Sequence, residues 1–437
     1  MAATVTMNGR PRDEGTETTE LLRFATAGSV DDGKSTLIGR LLHDAKSILA
    51  DQLAHVKETS ERRGDGELNL ALLTDGLRAE REQGITIDVA YRSFQTDKRR
   101  FIIADCPGHE QYTRNMVTGA STADLSLVLV DARNGLVRQS RRHAAISALL
   151  RTPHLVVCVN KMDLVDYDQS VFDAIVADFT AWAAPFDGFT EITFIPISAL
   201  KGDNVVDSSS NTPWYDGPTL LHHLETVEIS GDRNLDDWRF PVQWVVRPQN
   251  DERYHDYRGY AGQVAGGVIR PGEEVVVLPS GRTTKVAGID TIDGPKDVAF
   301  PPESVTLLLE DDLDVSRGDL IARPSDAPTV ARELEAVVCW MTDAPLKAGG
   351  RYAIKHTTRA ARAIVDGIDW KLDVETLERD PEADGLALNE IGHVKLRLSA
   401  PLAFDSYERN RDTGSFILID EASNDTVGAG LIVTPEA

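Results

Sequence analysis

The chain has 437 residues, too many for one ordinary hydrophobic core, so about two to four domains are expected. With 46 basic against 70 acidic residues its formal net charge is −24, a surface that repels phosphate backbones and argues against extended RNA or DNA binding. No charged-then-apolar leader opens the sequence and no run of about 18 apolar residues occurs, so a cytoplasmic protein without a membrane span is expected.

Residues 1–20 are polar, with Gly, Pro, Thr and Glu prominent, and read as a flexible N-terminal tail. The apolar Leu21, Leu22, Phe24 and Ala25 predict a strand that runs into Gly28-Ser29-Val30-Asp31-Asp32-Gly33-Lys34-Ser35, a full GxxxxGK[ST] match. A helical stretch follows over Ser35–Leu49, with Thr36 beside Ser35 in its first turn. A triphosphate needs many donors at close range. Gly28 and Gly33 let the backbone turn its N–H groups inward, Lys34 can reach the β and γ oxygens, and Ser35 can place a hydroxyl on Mg²⁺ at a helix N-terminus.

Three further motifs follow, each after an apolar strand. Phe101, Ile102, Ile103 and Ala104 lead into Asp105-Cys106-Pro107-Gly108-His109. A carboxylate such as Asp105 suits a metal that keeps its waters, and Gly108 offers an uncluttered backbone N–H for a γ-phosphate. Leu155, Val156, Val157, Cys158 and Val159 lead into Asn160-Lys161-Met162-Asp163. Asp163 can accept two hydrogen bonds from the donor edge of guanine, and adenine has no matching pair, so such a site rejects ATP. Phe194, Ile195, Pro196 and Ile197 lead into Ser198-Ala199-Leu200, a turn able to aim backbone N–H at the guanine carbonyl. The four motifs in this order make GTP with Mg²⁺ the expected ligand pair.

Strand-like runs alternate with helical stretches from Leu21 to about Glu228, including Gln139–Leu150 and Thr219–Thr226, and predict an α/β domain over 21–230 with a mainly parallel sheet. Beyond Trp238 short alternating strands take over, at Phe240–Val246, Gly259–Val268, Glu274–Leu278, Thr283–Ile289 and Ser304–Leu309. Arg270-Pro271-Gly272 and Pro279-Ser280-Gly281 supply turns, and the spacing predicts a small β-barrel over 238–328. A second set, Leu334–Met341, Gly350–His356, Gly392–Leu398, Gly414–Ile419 and Val427–Val433, predicts another barrel over 329–437. Cys106, Cys158 and Cys339 form no CxxC pair and read as small buried hydrophobes.

A switch domain followed by two barrels resembles the translational GTPases such as elongation factor Tu, from about residue 21 to 437. The stretch from Leu72 to Tyr91, with Thr86 near its end, resembles more closely the GTPase (large) subunit of bacterial heterodimeric ATP sulfurylase. So do Asp105 to Met116, with Glu110-Gln111 after the histidine, and Asp32 in the phosphate loop, where elongation factor Tu has His. This resemblance implies a GTPase that couples GTP hydrolysis to formation of adenosine 5′-phosphosulfate and pyrophosphate from ATP and sulfate. It further implies a heterodimer with the smaller, ATP- and sulfate-binding subunit of sulfate adenylyltransferase, with higher-order assembly left open. By the same resemblance Thr86 binds Mg²⁺ and the γ-phosphate, and His109 positions the attacking water. Some large subunits carry a fused kinase domain. This chain stops at Ala437, so that activity is not expected. Arg247, Arg253, Tyr254, His255, Tyr257 and Arg258 form an Arg and aromatic cluster that suits either a partner contact or an ordinary barrel loop. A translation factor acting on the ribosome is the competing reading, opposed by the acidic charge and by Glu110-Gln111. A free-standing regulatory GTPase is a third.

Overall fold

A computed structural model describes residues 20–45, 70, 88–109, 112–186, 188–229, 234–248, 257–373, 376 and 378–434. Thr86, Glu110 and Gln111 lie outside them, as do Arg253, Tyr254 and His255 of the Arg and aromatic cluster.

The N-terminal unit is built on β1 (Leu21–Ala27), β2 (Ala90–Gln95), β3 (Arg100–Asp105), β4 (Leu125–Asp131), β5 (His154–Asn160) and β6 (Glu191–Pro196). They form one sheet in the order β2-β3-β1-β4-β5-β6, parallel throughout except for the edge strand β2. Every residue of β4 and β5 is buried, which is why both read as near-continuous apolar runs and not as alternating strands. The helices are α1 (Lys34–Asp44), α2 (Thr113–Ala120), α3 (Arg138–Leu149), α4 (Gln169–Ala183) and α5 (Leu220–Thr226). Asp168 starts α4 by accepting the Ser170 N–H at 2.8 Å, and Thr219 starts α5 by accepting from His222 at 3.3 Å. Two apolar layers cover the sheet. One gathers Ala25, Val128, Val157, Ile146 and Phe179; the other gathers Phe24, Leu127, Leu129, Leu37 and Leu220.

The next sheet contains β7 (Arg239–Val246), β8 (Gly259–Gln263), β9 (Glu274–Leu278), β10 (Arg282–Thr291), β11 (Gly294–Lys296), β12 (Ser304–Leu309) and β13 (Leu320–Ala322). Because β10 pairs with both β12 and β9, the sheet closes on itself around Trp238, Phe240, Tyr260 and Ile269. The last sheet contains β14 (Thr329–Trp340), β15 (Arg351–His356), β16 (Arg359–Leu372), β17 (Arg379–Asp380), β18 (Ile391–Phe404), β19 (Ser415–Ile419) and β20 (Thr426–Val433). Here β15 pairs with both β19 and β16, closing a second barrel around Trp340, Ile354, Val394 and Leu418. The fold is thus an α/β P-loop unit followed by two small β-barrels.

Strand β16 is absent from the sequence expectation. Its sequence, RAARAIVDGIDWKL, scatters charges through the apolar alternation. Those charges pair outward, Arg359 with Asp319 at 3.2 Å, Arg362 with Glu421 at 2.8 Å and Lys371 with Glu390 at 3.0 Å, so the strand hides its pattern behind ion pairs. Within the first barrel, Tyr257 donates to Asp290 at 2.9 Å and Arg258 pairs with Asp312. All three cysteines are buried free thiols.

The units are joined by buried polar links. Arg239, fully buried, forks onto Asp405 of the second barrel at 2.7 and 2.8 Å, and Thr413 donates to the same carboxylate at 2.6 Å. On the other side Tyr407 donates to Leu150 O at 2.8 Å and Arg411 to Ser121 O at 3.0 Å, around an apolar seam in which Cys339, Met341 and Ile391 meet Val117 and Ile146.

Candidate nucleotide-binding site

Strand β1 ends at Ala27 and hands the chain to a loop that alternates ordinary and left-handed backbone. Gly28, Asp31 and Gly33 have φ of 148°, 67° and 93°. This alternation turns successive N–H groups to one side and makes an anion-sized concavity at the start of α1. Gly33 is required twice over. Its φ disfavours any side chain, and a Cβ there would lie 2.5 Å from Asn160 Nδ2.

Inside the loop, Ser29 N–H donates to Asp32 Oδ2 at 2.5 Å, and the buried Lys34 ammonium donates to Gly28 O at 2.9 Å and Ser29 O at 2.8 Å. Burial pushes the Asp32 carboxyl up to about 6, against the Ser29 N–H and Lys34, which pull it down. Burial likewise lowers the Lys34 pKa, with Asp32 and Asp105 opposing it. Val30 and Asp31 are exposed at the loop's tip, and Ser35 and Thr36 are half-buried in the first turn of α1.

The other motifs arrive at the same end of the sheet because parallel strands put all their carboxyl ends together. Asp105 closes β3 in register with Thr26, whose hydroxyl donates to Asp105 Oδ1 at 3.3 Å. Three residues on, Gly108 packs so closely that a Cβ would run into Lys34 Nζ and lie 2.8 Å from Gly28 O. His109 is exposed, its ring edge-on to Tyr112 with centroids 6.0 Å apart.

Asn160 closes β5 and ties two motifs together. Its Nδ2 donates to Asp32 O at 2.7 Å while its Oδ1 accepts the Ala199 N–H at 2.9 Å. Lys161, at φ 64°, donates to Asp131 Oδ2 at 2.9 Å and to Asp31 O. Burial would raise the Asp131 carboxyl, but hydrogen bonds from Arg133 and Lys161 hold it far below the usual range. Asp163 stands half-buried in the 3₁₀ turn Met162–Val165, anchored by Met162 N–H to Ile197 O at 3.2 Å. In the Ser198-Ala199-Leu200 turn, Ser198 O accepts from Gly202 at 2.7 Å, and Arg40 donates to Ala199 O at 3.2 Å and to Leu200 O. Since Ala199 N–H is engaged by Asn160, Leu200 N–H is the donor of this turn without a bond to a described residue.

Sequence reasoning missed Asp131, Arg40 and His143. Asp131 carries a signal of its own, an acid ending an apolar strand as Asp105 does. His143 carries almost none. It lies fully buried on α3 beside Ala144 and Ala145, and its Nδ1 accepts the Gly28 N–H at 3.0 Å. Burial, then Lys34 and Arg142, push its pKa down to about 3, so the ring is neutral and keeps a lone pair for that bond. The tautomer accepting at Nδ1 carries its proton on Nε2, 3.0 Å from the Gln139 side-chain amide.

Residues 19–230 match the Elongation factor Tu GTP binding domain family, and residues 333–433 match the GTP-eEF1A C-terminal domain-like family. Over 416 residues the chain is 61% identical to the Bifunctional enzyme CysN/CysC of Mycobacterium tuberculosis (strain CDC 1551 / Oshkosh), covering 95% of this chain and 67% of that protein. It is 53% identical over 418 residues to Sulfate adenylyltransferase subunit 1 of Aliarcobacter butzleri (strain RM4018), covering 95% of this chain and 88% of that one. Against the same-named protein of Bacteroides fragilis (strain YCH46) the identity is 52% over 419 residues, covering 95% and 87%. The chain belongs to the sulfate adenylyltransferase subunit 1 family. Membership decides against the translation-factor reading. A sulfate adenylyltransferase subunit 1 of this kind is an enzyme subunit with a GTPase domain. Among its described residues no helix is long and apolar enough to cross a membrane.

Proposed function

We propose that the chain binds GTP with Mg²⁺ between residues 28–36 and the 160–163 and 198–200 turns, and that hydrolysis there drives sulfate adenylyl transfer on a separate, smaller subunit. The observation that supports this best is Asn160, whose one amide joins the phosphate loop to the turn beside Asp163. A phosphate cradle and a base-reading pocket are thereby held at fixed separation, as a nucleotide of one size requires.

The residues present fit the ligand pair. The left-handed positions of the loop, and the space left by Gly108 against Lys34, form a cradle that a Cβ would fill. Residues Gly28, Ser29, Val30, Asp31, Asp32 and Gly33 would form the phosphate cradle, with backbone N–H offered from the Val30–Gly33 part while the Gly28 and Ser29 N–H groups hold His143 and Asp32, and Lys34 would hold the β and γ oxygens. Ser35, Asp105 and Thr86 would hold Mg²⁺, which supplies positive charge to the bridged phosphate oxygens when bound. Gly108 N–H is assigned to the γ-phosphate and His109 to orienting the attacking water. Asp163 would accept from the two guanine donors, and Leu200 N–H would meet the guanine carbonyl. The phosphate–sulfate anhydride lies uphill of ATP, so the adenylyl transfer needs this second hydrolysis. Among the described residues there is no second phosphate loop, which supports placing the adenylyl-transfer site on the partner of a heterodimer.

Asp163→Asn tests the base assignment. The new amide donates where the carboxylate accepted, so GTP affinity should fall and xanthosine triphosphate affinity rise. An unchanged preference for GTP in a calorimetric titration removes Asp163 from the site.

A further inference from the structure

The carboxylate of Asp32 has no part in the scheme above. It lies inside the loop, 4% exposed, with Oδ2 on Ser29 N–H at 2.5 Å while its own N–H points back at Ser29 O at 3.4 Å. The reciprocal pair clamps the first turn of the loop. An uncharged oxygen could accept the same N–H, though in a weaker bond, so the negative charge needs its own account.

That charge makes no direct ion pair among the described residues, and Lys34 and Lys161 act on it only from a distance. Lys34, the cation that acts on it most strongly, places its Nζ on the carbonyls of Gly28 and Ser29. Lys161 places its Nζ on Asp131 and on the Asp31 carbonyl. Asp131 and Asp105 add further negative charge at the same end of the sheet, and buried His143 is neutral. Water, which would screen an exposed carboxylate, is excluded. With burial pushing its pKa up to about 6, the group is still ionised above neutral pH. An anion buried in a loop built to hold phosphate repels the ligand that the backbone N–H groups attract.

We propose that Asp32 is a charge built into the phosphate loop to weaken nucleotide binding and hasten GDP release, while its clamp on Ser29 keeps the loop's shape. The proposal rests on the nucleotide reading of residues 28–36 and adds to it a control on turnover. Repulsion of this kind grows with the number of phosphate charges and leaves the base contacts alone. A clamp acting only through shape has no such dependence on phosphate number.

Asp32→Asn separates charge from clamp, because the amide oxygen still accepts the Ser29 N–H. Full-length parent and variant are titrated at pH 8 with GMP, GDP and GTP, and release of a fluorescent GDP is followed by stopped flow. The variant should hold GDP on the order of tenfold more tightly and release it correspondingly more slowly, with a smaller gain for GMP and a larger one for GTP. Asp32→Ala, lacking both clamp and charge, should bind less tightly than Asp32→Asn. Thermal melts of all three establish that each is folded. If Asp32→Asn binds GDP no better than the parent, or gains equally for GMP and GTP, the charge has no such role and the proposal fails while the nucleotide reading stands. If the parent prefers no guanine nucleotide over its adenine counterpart, the nucleotide reading fails and the proposal with it.

Discussion

The buried imidazole of His143 accepts the backbone N–H of Gly28 through Nδ1 at 3.0 Å, so a helix outside every nucleotide motif holds the first residue of the phosphate loop. The same helix, α3, presses Ile146 and Leu149 into the seam shared with Cys339 and Ile391 of the second barrel. Loop and barrel thus share one rigid element. The second barrel therefore has a contiguous physical connection to the phosphate site.

Burial of this ring, beside Lys34 and Arg142, makes stability depend on pH. The folded-state pKa of His143 is pushed down to about 3, below the unfolded value, so the unfolded chain takes up a proton that the folded chain does not. Its contribution is complete above about pH 6.5 and falls by about 1.4 kcal/mol for each pH unit below that. His143→Gln should flatten the decline between about pH 6 and 4 relative to the parent. Urea unfolding at a series of pH values measures both slopes, and equal slopes would show that the ring is not held neutral.

Arg239 and Asp405 form a fully buried fork between the barrels. Removing one member strands the other charge in a dry interface, so Arg239→Met should cost about 3–5 kcal/mol. Arg239→Met with Asp405→Leu should recover a large part of that loss. A double-mutant cycle in guanidinium, with Asp405→Leu as the other single variant, in which the double variant loses the sum of the two single losses would deny the pair its coupling.

His109→Ala should slow GTP hydrolysis by on the order of 10²-fold, in keeping with loss of a positioned catalytic group, with little change in nucleotide affinity. Single-turnover hydrolysis and equilibrium binding separate the two effects. Normal turnover, or equal losses in both, contradicts the assigned role.

Strand ends and glycines made most of the site legible. Lys34, Asp105, Asn160 and Ser198 each follow an apolar run, and parallel strands bring their carboxyl ends to one edge. Gly33 and Gly108 stood out because backbone approaches there leave no room for a Cβ. His143 was illegible because a histidine on an apolar helix face looks like packing, and its partner Gly28 lies 115 residues away. Strand β16 was illegible for the opposite reason, since its outward charges pair with residues of other segments and mask the strand's alternation. The donor of the 198–200 turn also needed coordinates. Only the Asn160 bond to Ala199 reveals that Leu200 is the N–H left over.

In the proposed scheme labour is divided between this chain and a smaller partner. The most direct test is pyrophosphate release from ATP and sulfate, measured for the purified chain, for the small subunit of the same organism, and for the two together, each with GTP or a non-hydrolysable analogue. This chain alone should release no sulfate-dependent pyrophosphate. The pair should show adenosine 5′-phosphosulfate formation that GTP carries beyond the uncoupled equilibrium and the analogue does not. Robust sulfate-dependent pyrophosphate release by the isolated chain, or equal product yield with GTP and the analogue, would contradict this division.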